Sequence, residues 1–363
     1  MPETIERMSE DAQVILLLCG RFGKESQVKP LGLGEYNRLA RSLRDRDLRP
    51  ADLLEPERVC SIADASRLDA SRLRMLLERG MQLGLAVEEW NRGGLWILCR
   101  SDSEYPDRLK SHLGDQAPAI LFGIGDRSLL RGGGVAIVGS RDVDEAGRAF
   151  AQDVAARCAR GGMCVVSGGA RGVDQLAMTA ALATGGEVIG VVADKLLRRS
   201  VTREAREGLA NGRLLLLSPY RPEAGFNAGN AMARNKLIYA MADYGLVVSA
   251  TCNRGGTWAG AVEEMKRNHA RPVFVRVEHS APGGNSKLAE RGAIPFPDVK
   301  DCRLTDDWLR QSSSAATPDQ IPLFQDIALA DSVKEPQAAL DEMPVPPTSI
   351  YVAVLPVILN ALD

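Results

Sequence analysis

The chain has 363 residues, of which 45% are hydrophobic, 25% charged and 5% aromatic. This composition excludes a disordered, collagen-like or coiled-coil protein, and the length is sufficient for two or three domains. The net charge of −2 does not by itself suggest nucleic acid, but the charge is unevenly distributed. Residues 131–300 contain 23 Lys and Arg against 16 Asp and Glu, a net charge of +7, whereas the remainder carries −9. The basic middle segment is therefore where an anionic partner is expected.

The first 100 residues are predicted to form a small all-helical domain. Apolar residues such as Tyr36, Leu39 and Leu43 recur at helical spacing across residues 10–90. The pattern predicts that this helical region ends near Gly84 and that residues 95–99 form a strand. We assign residues 1–100 to a helical N-terminal domain similar to SAM or helix-hairpin modules.

From residue 135 onward, apolar runs alternate with segments of helical pattern. Because these runs lack polar alternation, they favour a parallel sheet that is covered on both faces. The sequence therefore predicts an α/β fold, an extended Rossmann-like, doubly wound and mostly parallel sheet, over residues 101–303. The six predicted strands are 135–138, 163–166, 187–193, 214–217, 245–250 and 272–277.

The C-terminal part has a different character. Residues 304–347 are polar and rich in proline, which is typical of a linker. Residues 348–363 are apolar and predict a single helix. That helix either docks back or is the remnant of a further small domain.

The cysteines, histidines and apolar runs of the sequence give no sign of a disulfide framework, a metal site or a membrane span. The seven cysteines include no Cys-X-X-Cys pair and the three histidines have no ligand spacing, so neither a disulfide framework nor a metal site is predicted. No apolar run approaches the roughly 20 residues that span a bilayer, and the N-terminus is acidic where a signal peptide is basic. We expect a cytoplasmic protein with no membrane association and no cofactor.

Candidate phosphate-binding residues follow the predicted strands. In an open α/β sheet, ligands bind at the carboxyl ends of the strands, and small residues, backbone N–H groups and guanidinium groups suit phosphate. Each motif alone is compatible with an ordinary turn, a helix cap or a solvated face, but their recurrence favours an extended groove. The candidates are Gly139, Ser140, Arg141, Ser167, Gly168, Gly169, Arg171, Gly172, Lys195, Arg199, Arg203, Arg234, Asn235, Lys236, Arg254, Gly255, Gly256 and Thr257.

Several of these motifs, in this order, resemble those of the DNA-processing protein A family (DprA, also called Smf). They are Tyr105-Pro with Arg108-Leu, Gly139-Ser-Arg, Ser167-Gly-Gly-Ala-Arg-Gly-Val-Asp, Arg234-Asn-Lys, Arg254-Gly-Gly-Thr and Gly283-Gly-Asn. The resemblance spans residues 105–296. It implies the extended Rossmann fold, binding of single-stranded DNA, a homodimer and loading of RecA recombinase, in recombination and uptake of transforming DNA. It implies no catalysis.

The chain departs from the family pattern at several positions, which indicates a divergent member. Met178 replaces a histidine, Arg199-Ser200 replaces Tyr-Pro, Ala231-Met232 replaces Phe-Pro, and Ser249-Ala250 replaces Glu-Ala. Such divergence is also consistent with recruitment of a DprA-like protein to phage or plasmid defence.

A nucleotide-binding sensor or hydrolase is the alternative from another class. The segment from Gly255 to Glu264 resembles the motif of lysine-decarboxylase-like (LOG) nucleotide N-glycosidases, in which a carboxylate assists departure of the base. Glu263 or Glu264 is the candidate carboxylate, and an exposed helix face is the competing interpretation, which we favour. A dinucleotide dehydrogenase is rejected, because no Gly-X-Gly-X-X-Gly follows the first strand of the parallel set.

Overall fold

Five α-helices precede the first strand in the computed structural model, which describes residues 8–22, 28–297 and 303–315. The predicted helical character of residues 10–90 is confirmed, but the predicted end near Gly84 is wrong. The last helix passes through this exposed glycine because Leu83 and Trp90 bury the same face, two turns apart. The five are α1 (Glu10–Cys19), α2 (Leu33–Arg44), α3 (Pro56–Ser66), α4 (Ala70–Leu77) and α5 (Gly80–Arg92).

Trp90 connects these helices to the sheet that follows. Its ring meets Phe122 edge-on at 5.1 Å between centroids, and its Nε1 donates to Glu223 Oε1 at 2.7 Å. The described residues of both parts belong to one compact unit. The domain boundary at residue 100 stays a prediction.

Within the residues that the structure describes, nine strands form one sheet, in the order β1-β2-β6-β5-β4-β3-β7-β8-β9. The pairs β1–β2 and β2–β6 are antiparallel and all other pairs are parallel, so the predicted mostly parallel sheet is confirmed. The strand at 95–99 and the six later strands all form, whereas β2 and β9 were not predicted. The strands are β1 (Trp96–Cys99), β2 (Ile120–Gly125), β3 (Val135–Gly139), β4 (Val165–Ser167), β5 (Val188–Val191), β6 (Leu214–Ser218), β7 (Tyr244–Ser249), β8 (Val273–Val275) and β9 (Ile294–Pro295).

Helices cover both faces of this sheet, as a doubly wound fold requires. One buried cluster contains Val154 and Ala177, and the other contains Ile238 and Ala261 on the opposite face. The helices are α6 (Asp107–Leu113), α7 (Glu145–Arg160), α8 (Val173–Ala183), α9 (Leu196–Ser200), α10 (Arg203–Ala210), α11 (Ala228–Met241), α12 (Gly255–Met265), α13 (Gly283–Ala289) and α14 (Asp306–Ala315).

The strand order reverses between β3 and β7. From β3 the chain adds β4, β5 and β6 on one side, and it then returns to add β7, β8 and β9 on the other. Such a switch point opens a crevice at the carboxyl ends of the two central strands. The fold therefore places the loops after β3 and β7 where a ligand site is expected.

Helix α14 corrects part of the linker prediction. Residues 306–315 lie in the segment predicted as linker from residue 304, yet they form a helix anchored to the domain. Tyr244 donates its hydroxyl to Asp306 Oδ1 at 2.8 Å, and the Trp308 ring packs against that of Phe296, tilted by 47° with centroids 5.8 Å apart. The rest of the predicted linker and the predicted helix at 348–363 lie outside the described residues.

The part of the chain that the structure describes lacks two kinds of feature. None of its helices is long and apolar enough to cross a membrane. Its His, Cys, Asp and Glu side chains form no group suited to hold a metal ion.

Candidate nucleic-acid interface

Three adjoining clefts lie along the carboxyl edge of the sheet. The central cleft, about 540 Å³, opens at the switch point and is lined from the ends of β3 and β7, from α11 and from the start of α12. The inner cleft, about 300 Å³, lies over the ends of β4 and β5. The side cleft, also about 300 Å³, lies between the first turns of α7 and α8. We call the three together the groove.

Arg141 connects the three clefts, because it lines every one of them. Its side chain is exposed, and its guanidinium lies 5.2 Å from the centroid of the Phe226 ring. Phe226 is itself 55% exposed, as is Met232 nearby at 52%. Phe226 was missed by the sequence analysis. The signal available was a single aromatic residue within the Gly-, Pro- and Asn-rich segment 221–227.

Arg234 is a buried cation in the wall shared by the central and inner clefts. It is 5% exposed, and its Nη1 donates to the carbonyl oxygen of Val191 at 2.8 Å. Within the described residues its Nε has no hydrogen-bond partner, although a buried N–H without one is costly. The guanidinium of Arg234 therefore places a buried positive charge, and an Nε–H donor without a partner among the described residues, beside the cleft.

Gly168 makes room for that guanidinium. A Cβ atom at this position would lie 1.7 Å from Arg234 Nη1 and 2.6 Å from Asp174 Oδ2. Gly172 is required for a different reason, since its φ is +92° and a Cβ there would lie 2.4 Å from the carbonyl oxygen of Ser140. The glycine-rich turn after β4 thus packs tightly against the loop after β3 and against α11.

Asp174 lies beneath this turn, where it is 6% exposed and lines the central cleft. Burial raises the pKa of Asp174, while the charge of Arg234 and hydrogen bonds from backbone N–H groups, that of Ala170 among them, oppose the rise. Its carboxylate supports the turn from below, as a helix-start residue does.

Replacing this carboxyl group should alter how stability depends on pH. A raised folded-state pKa means that the wild type loses stability as the pH rises from about 4, the unfolded value, through the folded value. Asp174→Asn has no ionisation there. We therefore expect the free energy of unfolding of the wild type, minus that of Asp174→Asn, to fall in urea titrations as the pH rises above about 4. A difference that rises or stays constant with pH contradicts this assignment.

Two hydrogen bonds hold the start of α12, one to the end of β3 and one to α11. Thr257 donates its hydroxyl to the carbonyl oxygen of Gly139 at 3.1 Å, and Asn235 donates its amide to that of Gly256 at 2.9 Å. Arg254, just before them, is exposed at the rim. The structure brings most of the predicted site residues into the groove, namely Gly139, Ser140, Arg141, Gly168, Arg171, Gly172, Arg199, Arg234, Asn235, Arg254, Gly255, Gly256 and Thr257.

Five predicted residues do not line the groove. Ser167 is buried and donates its hydroxyl to the carbonyl oxygen of Ile137 at 2.6 Å, so it ties β4 to β3. Gly169, with φ +62°, shapes the turn. Lys195 and Arg203 are exposed on the α9–α10 side. Lys236 faces a separate crevice beside Tyr36 and Tyr220, where burial lowers its pKa.

The two glutamates of the N-glycosidase alternative also lie outside the groove. Glu264 is 1% exposed and accepts hydrogen bonds from His112 Nε2 at 2.9 Å and from the backbone N–H of Arg271 at 2.7 Å. Glu263 is half exposed and pairs with Arg267 at 2.8 Å. Neither residue lines the central cleft, and the N-glycosidase alternative stays a prediction. The competing interpretation, an exposed helix face, fits Glu263 but is wrong for Glu264, which is buried.

The fold and the groove define a Rossmann-like α/β protein that presents a cationic cleft at its topological switch point. Residues 96–304, more than half of the chain, match the family model described as DNA recombination-mediator protein A, and the chain belongs to this family. The predicted family is confirmed, and with it a DNA-processing role of the DprA type.

Named relatives agree with this assignment. The chain is 28% identical to the DNA processing protein DprA of Bacillus subtilis over 226 residues, which cover 61% of this chain and 74% of the relative. It is 30% identical to protein Smf of Escherichia coli over 249 residues, 64% of this chain and 63% of that protein. The X-ray structure of DprA from Streptococcus pneumoniae superposes with a TM-score of 0.60 at 23% identity, covering 79% of this chain and 94% of that one. This superposition confirms the fold.

Proposed function

We propose that the groove binds single-stranded DNA. The observation that carries this proposal is the continuity of the three clefts through Arg141, with further guanidinium groups from four different loops or helices along the same edge. Guanidinium groups bind phosphate oxygens in bidentate fashion, and a row of them suits a polyanion better than a single small anion. The further groups are those of Arg171, Arg199, Arg234 and Arg254.

The exposed apolar side chains favour a single strand over a duplex. Phe226 and Met232 stand at the groove with about half of their surface exposed. Unpaired bases stack on such groups, at about 1–3 kcal/mol per base on an aromatic ring, whereas a duplex keeps its bases stacked internally. The central cleft thus offers contacts to phosphates and to base faces side by side.

The biological role that fits this binding is protection of single-stranded DNA and loading of a RecA-type recombinase onto it. This part of the proposal derives from membership of the recombination-mediator family, as do the homodimer and the cytoplasmic location. The same membership supports action by binding rather than by catalysis. Residues 1–100 contain 16 Lys and Arg against 16 Asp and Glu, so they lack the positive excess of residues 131–300, and we propose that they serve as an interaction platform.

A salt titration tests the proposal. Fluorescence anisotropy with a single-stranded oligonucleotide and its duplex should show tighter binding of the single strand, with affinity falling by about 0.7 log units per phosphate contact for each log unit of salt. Equal or tighter binding of the duplex would overturn the proposal. An assay for free base released from nucleoside monophosphates, run with the same preparation, tests the N-glycosidase alternative, and release of base would support it.

A further inference from the structure

The side cleft lies on the opposite face of the sheet from α11 and α12. It is bounded by α7 and α8, whose apolar faces belong to the other buried cluster. Arg141, at the edge between the two faces, lines both the central and the side cleft. The groove therefore continues around the edge of the sheet instead of ending at the switch point.

The lining of the side cleft is strongly cationic. Arg141, Arg148 and Arg171 face one carboxylate, that of Asp142. Arg148 is exposed and donates its Nε to the carbonyl oxygen of Val143 at 3.3 Å, which fixes the base of its guanidinium at the first turns of α7. Gln152 adds an amide group to the same lining. The cleft thus presents positioned hydrogen-bond donors and an excess of positive charge.

Asp142 does not neutralise the positive charge of the described lining. Asp142 pairs with Arg171, but the two side chains are 85% and 73% exposed. Exposed ion pairs of this kind contribute about 0–1 kcal/mol to stability. An incoming phosphate can therefore replace Asp142 as the partner of Arg171 at little cost in free energy. Because guanidinium groups bind phosphate with two parallel hydrogen bonds, the expected ligand is a phosphodiester group.

We propose that the side cleft is a second phosphate subsite, which holds a bound single strand where it leaves the central cleft and passes over α7 and α8. The inference rests on the proposed binding of single-stranded DNA and adds the path that the strand takes. A short oligonucleotide that fills the central and inner clefts does not reach Arg148, whereas a longer one does.

The length of the oligonucleotide therefore provides the test. Arg148→Ala is compared with Arg160→Ala, an equal loss of charge at an exposed position 12 residues further along α7, about 18 Å away. The ligands are oligothymidylates of about 6 and about 20 nucleotides, which bracket most single-domain site sizes. For the longer ligand, Arg148→Ala should weaken binding about three- to tenfold and reduce the salt slope by about 0.7.

The controls separate the possible outcomes. Binding of the short ligand by Arg148→Ala, and binding of both ligands by Arg160→Ala, should match the wild type, and Arg148→Lys should retain the wild-type salt slope. Equal losses for the two alanine variants, or for the two lengths, overturn the side cleft as a subsite. Failure of the wild type to bind either oligonucleotide overturns the proposed function itself. If the wild type binds, Arg141→Ala weakens binding and Arg148→Ala leaves it unchanged, only the proposed path of the strand is overturned.

Discussion

Gly168→Ala should abolish binding of single-stranded DNA and lower the stability of the fold. The added methyl group would lie 1.7 Å from Arg234 Nη1 and 2.6 Å from Asp174 Oδ2, so the guanidinium must leave its place. Overpacking together with the loss of the hydrogen bond from Arg234 to Val191 costs about 2–4 kcal/mol. Urea denaturation measures this change, and fluorescence anisotropy measures the loss of binding.

Two further variants test whether Gly168→Ala lowers stability and binding by displacing the Arg234 side chain. Gly225→Ala adds a methyl group in the loop beside Phe226, where nothing lies within 4 Å, and it should behave as wild type in both measurements. Removing the guanidinium as well, in Gly168→Ala with Arg234→Ala, should be less destabilising than the sum of the single changes, because the clash partner is gone. Binding should stay lost in the double variant. Strictly additive destabilisation, or a Gly168→Ala protein that binds normally, contradicts the role given to this glycine.

The central strands and the edge of the sheet that carries the site were predictable from the sequence. Strands β3 to β8 are apolar on both faces and separated by helix-length segments, which is a local signal of a parallel sheet. Strand β2 is also apolar, but its partners are β1 and β6, and β6 lies about 90 residues further along the chain. Such long-range antiparallel pairing leaves no local pattern that identifies it. The strand β9 has only two residues and no pattern at all.

The orientation of individual side chains within the site was not predictable. Arg234 and Lys236 are neighbours in one motif, yet residues two apart on a helix point in nearly opposite directions. Packing of α11 against the sheet buries Arg234 in the groove wall and directs Lys236 into the crevice next to Tyr36. Phe226 was not predicted as a site residue for a related reason, because only the fold brings its loop next to Arg141.

Arg141→Ala should weaken binding of single-stranded DNA about tenfold or more at low salt without changing stability. Its side chain is exposed and lines all three clefts, so it is available to phosphate at the centre of the groove. A hydrogen bond to a charged group contributes about 1.5–3 kcal/mol, which corresponds to roughly one to two orders of magnitude in affinity. The dependence of log affinity on log salt should fall by about 0.7 for each phosphate contact removed.

Arg131 provides a matched control for this change. It is exposed just before the amino end of β3, whereas Arg141 follows the carboxyl end of the same strand, so both variants remove one positive charge from opposite edges of the sheet. Arg131→Ala should keep the affinity and salt slope of the wild type. If the two variants weaken binding equally, the overall charge of the domain and not the groove attracts the strand. An effect confined to Arg141→Ala instead places the phosphate contact at the carboxyl edge, because net charge is the same in both variants and only position differs.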